Sequence, residues 1–93
     1  MWSVYEHRRV GKQLQSLPQE ILKRYEKWKD IVMISGPKGI KLIKGFHDES
    51  LQGEWKGHRS SRLGLQYRVL YKIMETDILV QVVSLTAHDY RRK

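Results

Sequence analysis

Arginine and histidine side chains suited to phosphate chemistry occur in two stretches of the chain. The first, GHRSSRLGLQYRVLY, carries Arg59, Arg62 and Arg68. The second, HDYRRK, follows a strongly apolar segment and contains His88 and Tyr90. A guanidinium offers a planar fork that fits a phosphate bidentately, and a histidine can transfer protons near neutral pH. These residue types together predict a site that holds a phosphodiester and moves protons around it.

The arginines of the first stretch fall on a predicted β-hairpin, so strand alternation decides which of them face the same way. If Gly64-Leu65 forms a two-residue turn, Ser61 pairs with Arg68, and Arg59 shares the face of Arg68. This geometry favours Arg59 as its partner. A turn longer by one residue would exchange Arg59 and Arg62, so both stay candidates. The alternative interpretation is that the arginines lie on solvated faces, paired with acidic residues: Glu54, Glu75 or Asp77.

The C-terminal stretch offers a proton-transfer group and an aromatic ring. His88 has the pKa range of a general acid or base, and Tyr90 can hydrogen-bond to RNA or stack on an unpaired base. The cations that follow are predicted to bind RNA: Arg91, Arg92 and Lys93. A solvated tail is the alternative, since terminal residues are often poorly ordered.

Two further residues beside the hairpin, Lys56 and His58, are predicted to contact the substrate. His58 begins the basic strand, although it could instead only cap the preceding loop. His47-Asp48-Glu49 could suggest a metal site, but no spacing in the sequence completes a ligand set. No metal or other cofactor is therefore expected.

The elements that would position these residues follow from hydrophobic periodicity. Trp2 to Tyr5 alternates as a strand, and Val10, Leu14 and Leu17 suit a short helix. A second helix is predicted with Ser16 as its cap, Pro18 near its first position and Gly36-Pro37 at its end. Its apolar stripe is Ile21, Leu22, Tyr25, Trp28 and Val32.

The second half of the chain is predicted to form strands after a long connection. Residues 36–56 are basic and punctuated by glycine, with room for one short helix or strand. The predicted strands are His58 to Leu63, Tyr67 to Met74, and Ile78 to Leu85. The last is nearly continuous in apolar residues, which is typical of a central strand buried on both faces. The fold class is α+β, with two N-terminal helices on a small antiparallel-rich sheet of about four strands.

Size and charge bound the function. The chain has 93 residues, expected to form a single domain, with 18 Lys+Arg against 10 Asp+Glu and a formal net charge of +8. Such a charge indicates a polyanionic partner. Cysteine is absent, which excludes disulfides and thiolate chemistry. No signal peptide or membrane span is evident, so the chain is expected to be cytoplasmic and without a membrane partner.

The segment LQGEWKGHRSSRLGLQYRVLY, together with the ending VQVVSLTAHDYRRK, resembles the RelE/HigB toxins of bacterial type II toxin–antitoxin systems, within the RelE/ParE superfamily. The resemblance covers nearly the whole chain. It implies a RelE-like fold for residues 1–93 and the activity of a ribosome-dependent mRNA endonuclease that inhibits translation. It also implies three partners: a cognate antitoxin, the ribosome and mRNA.

The resemblance assigns roles to residues of this chain. Arg68 matches the arginine that such toxins place at the scissile phosphate. Arg59 and Arg62 match basic positions of the preceding strand, and His88 and Tyr90 match variable C-terminal positions. Asp89 lies between the last two, so the group that accepts the proton is left open. ParE-like proteins share the fold but inhibit DNA gyrase, which makes a non-enzymatic gyrase inhibitor the alternative; a simple RNA-binding module is a third possibility.

Overall fold

The computed structural model of the chain describes residues 1–87, which form five strands and three α-helices. In chain order the elements are β1 (Ser3–Glu6), α1 (Arg8–Gln15), α2 (Gln19–Ser35), α3 (Pro37–Lys41), β2 (Glu49–Ser50), β3 (Arg59–Arg62), β4 (Arg68–Met74) and β5 (Leu79–Thr86). Short 3₁₀ turns lie at Lys44–Phe46, Gly53–Trp55 and Glu75–Asp77.

The strands form one mixed sheet in the order β1-β5-β4-β3-β2. Strand β1 runs parallel to β5, and all other neighbours are antiparallel. The predicted α+β class is confirmed, with five strands where about four were expected. The additional strand, β2, has two residues and lies inside the long connection before β3, which also contains α3 and two of the 3₁₀ turns.

Helix α2 supplies the helical side of the core. Four residues of its predicted stripe are buried: Ile21, Tyr25, Trp28 and Val32. The Trp28 ring meets Tyr71 of β4 edge to face, with centroids 5.1 Å apart. Burying one such large side chain contributes about 1.5–3 kcal/mol. The same spacing leaves Lys23 and Lys27 exposed to water, whereas Lys29 is half-buried over the Tyr25 ring and forms an ion pair with Glu6.

The sequence predicts the C-terminal end of α2 correctly but not its N-cap residue. Gly36 ends the helix at φ 74, where the Trp2 indole would lie 2.5 Å from any Cβ, so glycine fits both the backbone and the space. The predicted Ser16 cap is wrong. Pro18 is the N-cap residue, and the Ser16 hydroxyl donates instead to the Gln13 carbonyl at the end of α1.

Strand β5 lies inside the sheet between β1 and β4, but β4 is the middle strand, and β5 is not buried on both faces as predicted. Its buried residues alternate with half-buried ones such as Gln81 and Val83. Strand β1 pairs only with the first half of β5, and α1 binds the edge of β5 that follows. Gln13 accepts a hydrogen bond from the Leu85 amide at 2.7 Å and donates to Ser84 Oγ at 3.0 Å. These bonds fasten α1 to the end of β5 that lies beside Arg68.

Two buried tyrosines predict how stability depends on pH. Burial, together with a hydrogen bond to Glu6, raises the pKa of Tyr25 far above its ordinary value of 10.0, and burial with the nearby Asp48 charge raises the pKa of Tyr71. A raised pKa means that the folded state holds these protons more tightly. Their contribution to stability is therefore fully present below pH 10 and is lost as the pH rises above it.

An alkaline titration followed by phenolate absorbance and circular dichroism tests this expectation. Tyr25 and Tyr71 should ionise only in a step that coincides with loss of the helical signal. Ionisation of both near their ordinary pKa, with the fold unchanged, would contradict it.

Candidate active site

The β3–β4 hairpin has a three-residue loop, Gly64 to Gln66, rather than the two-residue turn of the sequence prediction. The Leu63 amide donates to the Tyr67 carbonyl at 2.8 Å, and Arg62 pairs directly with Arg68. The one-residue difference reverses the faces of β3. The expectation that Arg59 shares a face with Arg68 is therefore wrong, and Arg62 is the arginine that does.

Arg59 lies on the opposite face, where it is bound to a buried carboxylate. Its Nε and Nη2 atoms donate to Asp48 Oδ1 at 2.7 and 2.6 Å, and the Asp48 side chain is 1% exposed. The second Asp48 oxygen accepts from Ser61 Oγ at 2.7 Å and from the Tyr71 hydroxyl. Ser61 in turn accepts from Trp28 Nε1 at 3.0 Å. Burial alone would lower the pKa of Arg59, but the bonds and charge of Asp48 outweigh it and raise that pKa.

Arg62 and Arg68 form a cross-strand pair of like charges. The next pair along the strands, Leu63 and Tyr67, is hydrogen-bonded through the Leu63 amide. Arg62 and Arg68 therefore form a non-hydrogen-bonded pair, whose Cα atoms are roughly 4.5 Å apart. Both side chains are half-buried. Arg62 Nε and Arg68 Nη1 are buried and have no hydrogen-bond partner among residues 1–87.

This pair is suited to an anion. Like charges directly opposite each other destabilise a sheet, and buried donors without partners cost about 1–3 kcal/mol each. Two of the suggested acidic partners do not relieve either cost: within the described part of the chain, no ion pair joins these arginines to Glu75 or Asp77. A phosphate between the two guanidinium groups would relieve both costs, because it accepts bidentate bonds and carries negative charge.

Hydroxyl side chains line the same face of the sheet around the arginine pair. Thr86 of β5 lies opposite Arg68, and Ser84 lies opposite Leu70, which in turn faces Ser60. Ser60 and Ser84 are buried. The face thus combines two cations with small hydroxyls, and Glu49 of β2 lies on it opposite Ser60.

Solved structures show which proteins the chain resembles, although no family model and no curated protein sequence matches it. The chain is similar to the RelE–RelB complex of Pyrococcus horikoshii at 28% identity, with a TM-score of 0.75 over 96% of this chain and 97% of that one. The chain resembles the RelE-like toxins in fold and sequence over nearly its whole length.

Two further solved structures of toxins show the same fold. A metal-bound toxin from Helicobacter pylori aligns with a TM-score of 0.75 at 20% identity, over 95% of this chain and 96% of that chain. The YoeB–YefM toxin–antitoxin complex of Staphylococcus aureus aligns with a TM-score of 0.72 at 14% identity, over 96% and 99%. The five-stranded sheet with its helices is thus a RelE-like sheet throughout.

The remaining predicted site residues of this RelE-like chain divide into two groups. His58 immediately precedes β3, the strand that carries Arg62. Its Nδ1 is buried without a partner among the described residues, and its ring meets Trp55 edge to face at 5.5 Å. Lys56 is exposed at the end of the preceding 3₁₀ turn. The C-terminal candidates lie outside the described residues: His88, Tyr90, Arg91, Arg92 and Lys93.

The sequence interpretation missed His47. Its only suggested role was in a metal site, yet Asp48 is turned inward to Arg59, and residues 1–87 contain no group of three side chains able to hold a metal. Strand β2 pairs Glu49 with Ser60, so its antiparallel register, continued by two residues, brings His47 beside Arg62. Both line one pocket. Only the pairing of β2 with β3 reveals this, and β2 is too short to carry a sequence signal.

Proposed function

We propose that this RelE-like toxin is a ribosome-dependent endonuclease that cleaves mRNA and thereby inhibits translation. The observation that supports this best is the half-buried Arg62–Arg68 pair, whose donors are aligned on one face without a partner in the described residues. Preorganised donors aimed at developing charge are among the most effective catalytic devices, because they need no rearrangement during the reaction.

In the proposed reaction the 2′-hydroxyl of one nucleotide attacks the adjacent phosphorus. A base removes the 2′-hydroxyl proton, the bond from phosphorus to the 5′-oxygen breaks, and an acid protonates that oxygen. The products are a 2′,3′-cyclic phosphate and a 5′-hydroxyl. Arg62 and Arg68 stabilise the charge that builds up on the non-bridging oxygens, so the positive charge comes from the protein and no metal ion is required.

Proton transfer falls to histidine in this proposal. His88 acts as general base or acid, assisted by Asp89. His58, next to β3, supplies a second imidazole for proton transfer. Tyr90 orients the mRNA or stacks on a base. Arg59, engaged by Asp48, supports the fold rather than the phosphate.

The positive surface draws the protein to the ribosome in this scheme. The net charge is +8, and exposed lysines such as Lys12, Lys38 and Lys56 are available for RNA phosphates, as are Arg91, Arg92 and Lys93 in the sequence. Binding of this kind weakens steeply with salt. The ribosome supplies part of the substrate positioning, so cleavage of free RNA is expected to be weak.

An antitoxin is the proposed regulatory partner, and the cytoplasm the proposed location. The solved relatives from Pyrococcus horikoshii and Staphylococcus aureus are complexes with RelB and YefM, respectively. A partner with an acidic or amphipathic segment would complement the basic face of this chain. No helix among residues 1–87 is long and apolar enough to cross a membrane.

Mapping mRNA ends after induction in growing cells tests the proposed activity. We expect codon-dependent cuts with 5′-hydroxyl ends in translated mRNA. In a translating extract, cleavage should continue at the lowest concentration of divalent ions that still supports translation. A DNA-damage response without mRNA cuts would instead support the ParE-like gyrase inhibitor. RNA binding without growth arrest would support a simple binding module.

A further inference from the structure

We infer that a pocket on the α2 side of Arg62 binds the RNA nucleotide next to the phosphate held by Arg62 and Arg68. This inference rests on the proposed function and adds a second subsite to it. The pocket has a volume of ≈ 380 Å³ and lies between the start of α2, the turn at residues 45–47 and the β3–β4 loop. Its size is within the range of small-molecule sites, which begin at roughly 300 Å³.

Three nitrogen-bearing side chains from three separate elements line the pocket: Arg24, His47 and Arg62. The Arg24 guanidinium stacks 4.5 Å above the centre of the Phe46 ring, a contact that holds it in place without neutralising it. None of the three takes part in an ion pair within residues 1–87. The pocket therefore offers held positive charge in a concave setting, which fits a phosphate group.

Two glycines let the walls of the pocket approach closely. A Cβ at Gly45 would lie 2.9 Å from Arg24 Nη2, and one at Gly64 would lie 2.7 Å from Ile21 Cδ1. A side chain at Gly45 would push the Arg24 guanidinium away from its position. The absence of a side chain at this position therefore allows the Arg24 head group to lie where it does.

The rest of the lining matches the sugar and base of a nucleotide better than a free phosphate. Ile21, Leu63 and Leu65 supply apolar surface, and Leu65 is 91% exposed, so a base can cover it. Glu20 also lines the pocket, without an ion pair to Arg24 one turn later. A carboxylate repels a bare anion, but it accepts a hydrogen bond from the amino group of a base.

Arg62 connects the two subsites. It pairs with Arg68 on the sheet face and also lines the pocket, because β2 begins only at Glu49, opposite Ser60, and its pairing does not reach Arg62 on the β3 edge. An RNA strand that places one phosphate at the arginine pair can therefore pass its neighbouring nucleotide over this edge. Single-stranded RNA is the ligand class, since a paired base could not enter.

An NMR titration of the full chain with a trinucleotide of 2′-O-methyl RNA tests the inference, because the methyl group blocks the attacking oxygen. We expect amide shifts at Gly45, Gly64 and Leu65. Arg24→Ala should raise the dissociation constant about tenfold, as expected for loss of one charge-assisted hydrogen bond. Gly45→Ala should weaken binding in the same direction. Lys23→Ala removes the same charge from a neighbouring exposed position outside the pocket and should change binding by less than about twofold.

The outcomes separate this inference from the proposed cleavage. Shifts confined to β3 and β4, with equal affinities for Arg24→Ala and Lys23→Ala, would overturn the pocket and leave the nuclease proposal standing. Failure of the RNA to bind at all would also overturn it. The cleavage proposal is decided independently, by mRNA ends in translating cells.

Discussion

Arg68→Ala is expected to lower mRNA cleavage in a translating extract by ~10²–10³-fold, the usual effect of removing one charge-stabilising donor. Arg68→Lys should cleave at a rate between those of Arg68→Ala and the unaltered protein, because a lysine keeps the charge but loses the planar fork. Arg68→Ala is expected to leave the free energy of unfolding unchanged or slightly raised. Arg68 contributes a buried unpartnered nitrogen and faces a like charge at Arg62, so alanine removes two unfavourable features.

Lys72→Ala is the matched control for this prediction. Lys72 lies on the same strand, is exposed and pairs with Gln81 away from the arginine pair. Its removal should change cleavage by less than about threefold, since exposed charges interact weakly in water. Full cleavage by a folded Arg68→Ala variant would exclude Arg68 from the reaction. Loss of cleavage that accompanies a large loss of stability would show instead that Arg68 supports the fold.

Asp48→Ala is expected to lower the free energy of unfolding by about 3–5 kcal/mol, as measured by urea denaturation. The carboxylate is buried and receives bonds from Arg59, Ser61 and the Tyr71 hydroxyl, so its removal leaves a cation and two hydroxyls without their partner. Such a loss is a large fraction of the stability of a small domain.

Two further variants make the Asp48 prediction specific. Asp30→Ala removes an exposed carboxylate that forms no ion pair in the described chain and should cost less than about 0.5 kcal/mol. The double variant Asp48→Ala with Arg59→Ala should be less destabilised than the sum of the two single variants, because neither charge is then left alone. Additive effects would show that the Asp48–Arg59 bond carries little energy.

Hydrophobic periodicity is the reason the main elements could be predicted. The stripe from Ile21 to Val32 and the strand-forming residues from Tyr67 to Met74 are both local signals, and the structure forms α2 and β4 there. Local cap signals were less reliable. Ser16 is a good N-cap residue by type, but Pro18 lies two residues closer to the helix and supplies the first carbonyl acceptor.

The arrangement of the arginines depended on information that alternation alone does not contain. The choice between Arg59 and Arg62 rested on one residue of loop length, and Gly64-Leu65-Gln66 forms a three-residue loop. Asp48 decides the role of Arg59, yet the two residues meet only because β2 pairs with β3. Residue types thus indicated phosphate chemistry, whereas the partner of each arginine followed from long-range pairing.

The parallel pairing of β1 with β5 has a consequence for biosynthesis. Ser3 lies beside Leu79, so the first strand to leave the ribosome has no sheet neighbour until the last strand has emerged. Nascent chains appear N-terminus first, and contacts between distant segments form late. Thr86, opposite Arg68, emerges later still. A protein that attacks translation as proposed would therefore complete this sheet only after Thr86 has been synthesised, which gives the translating ribosome a delay before the product can act.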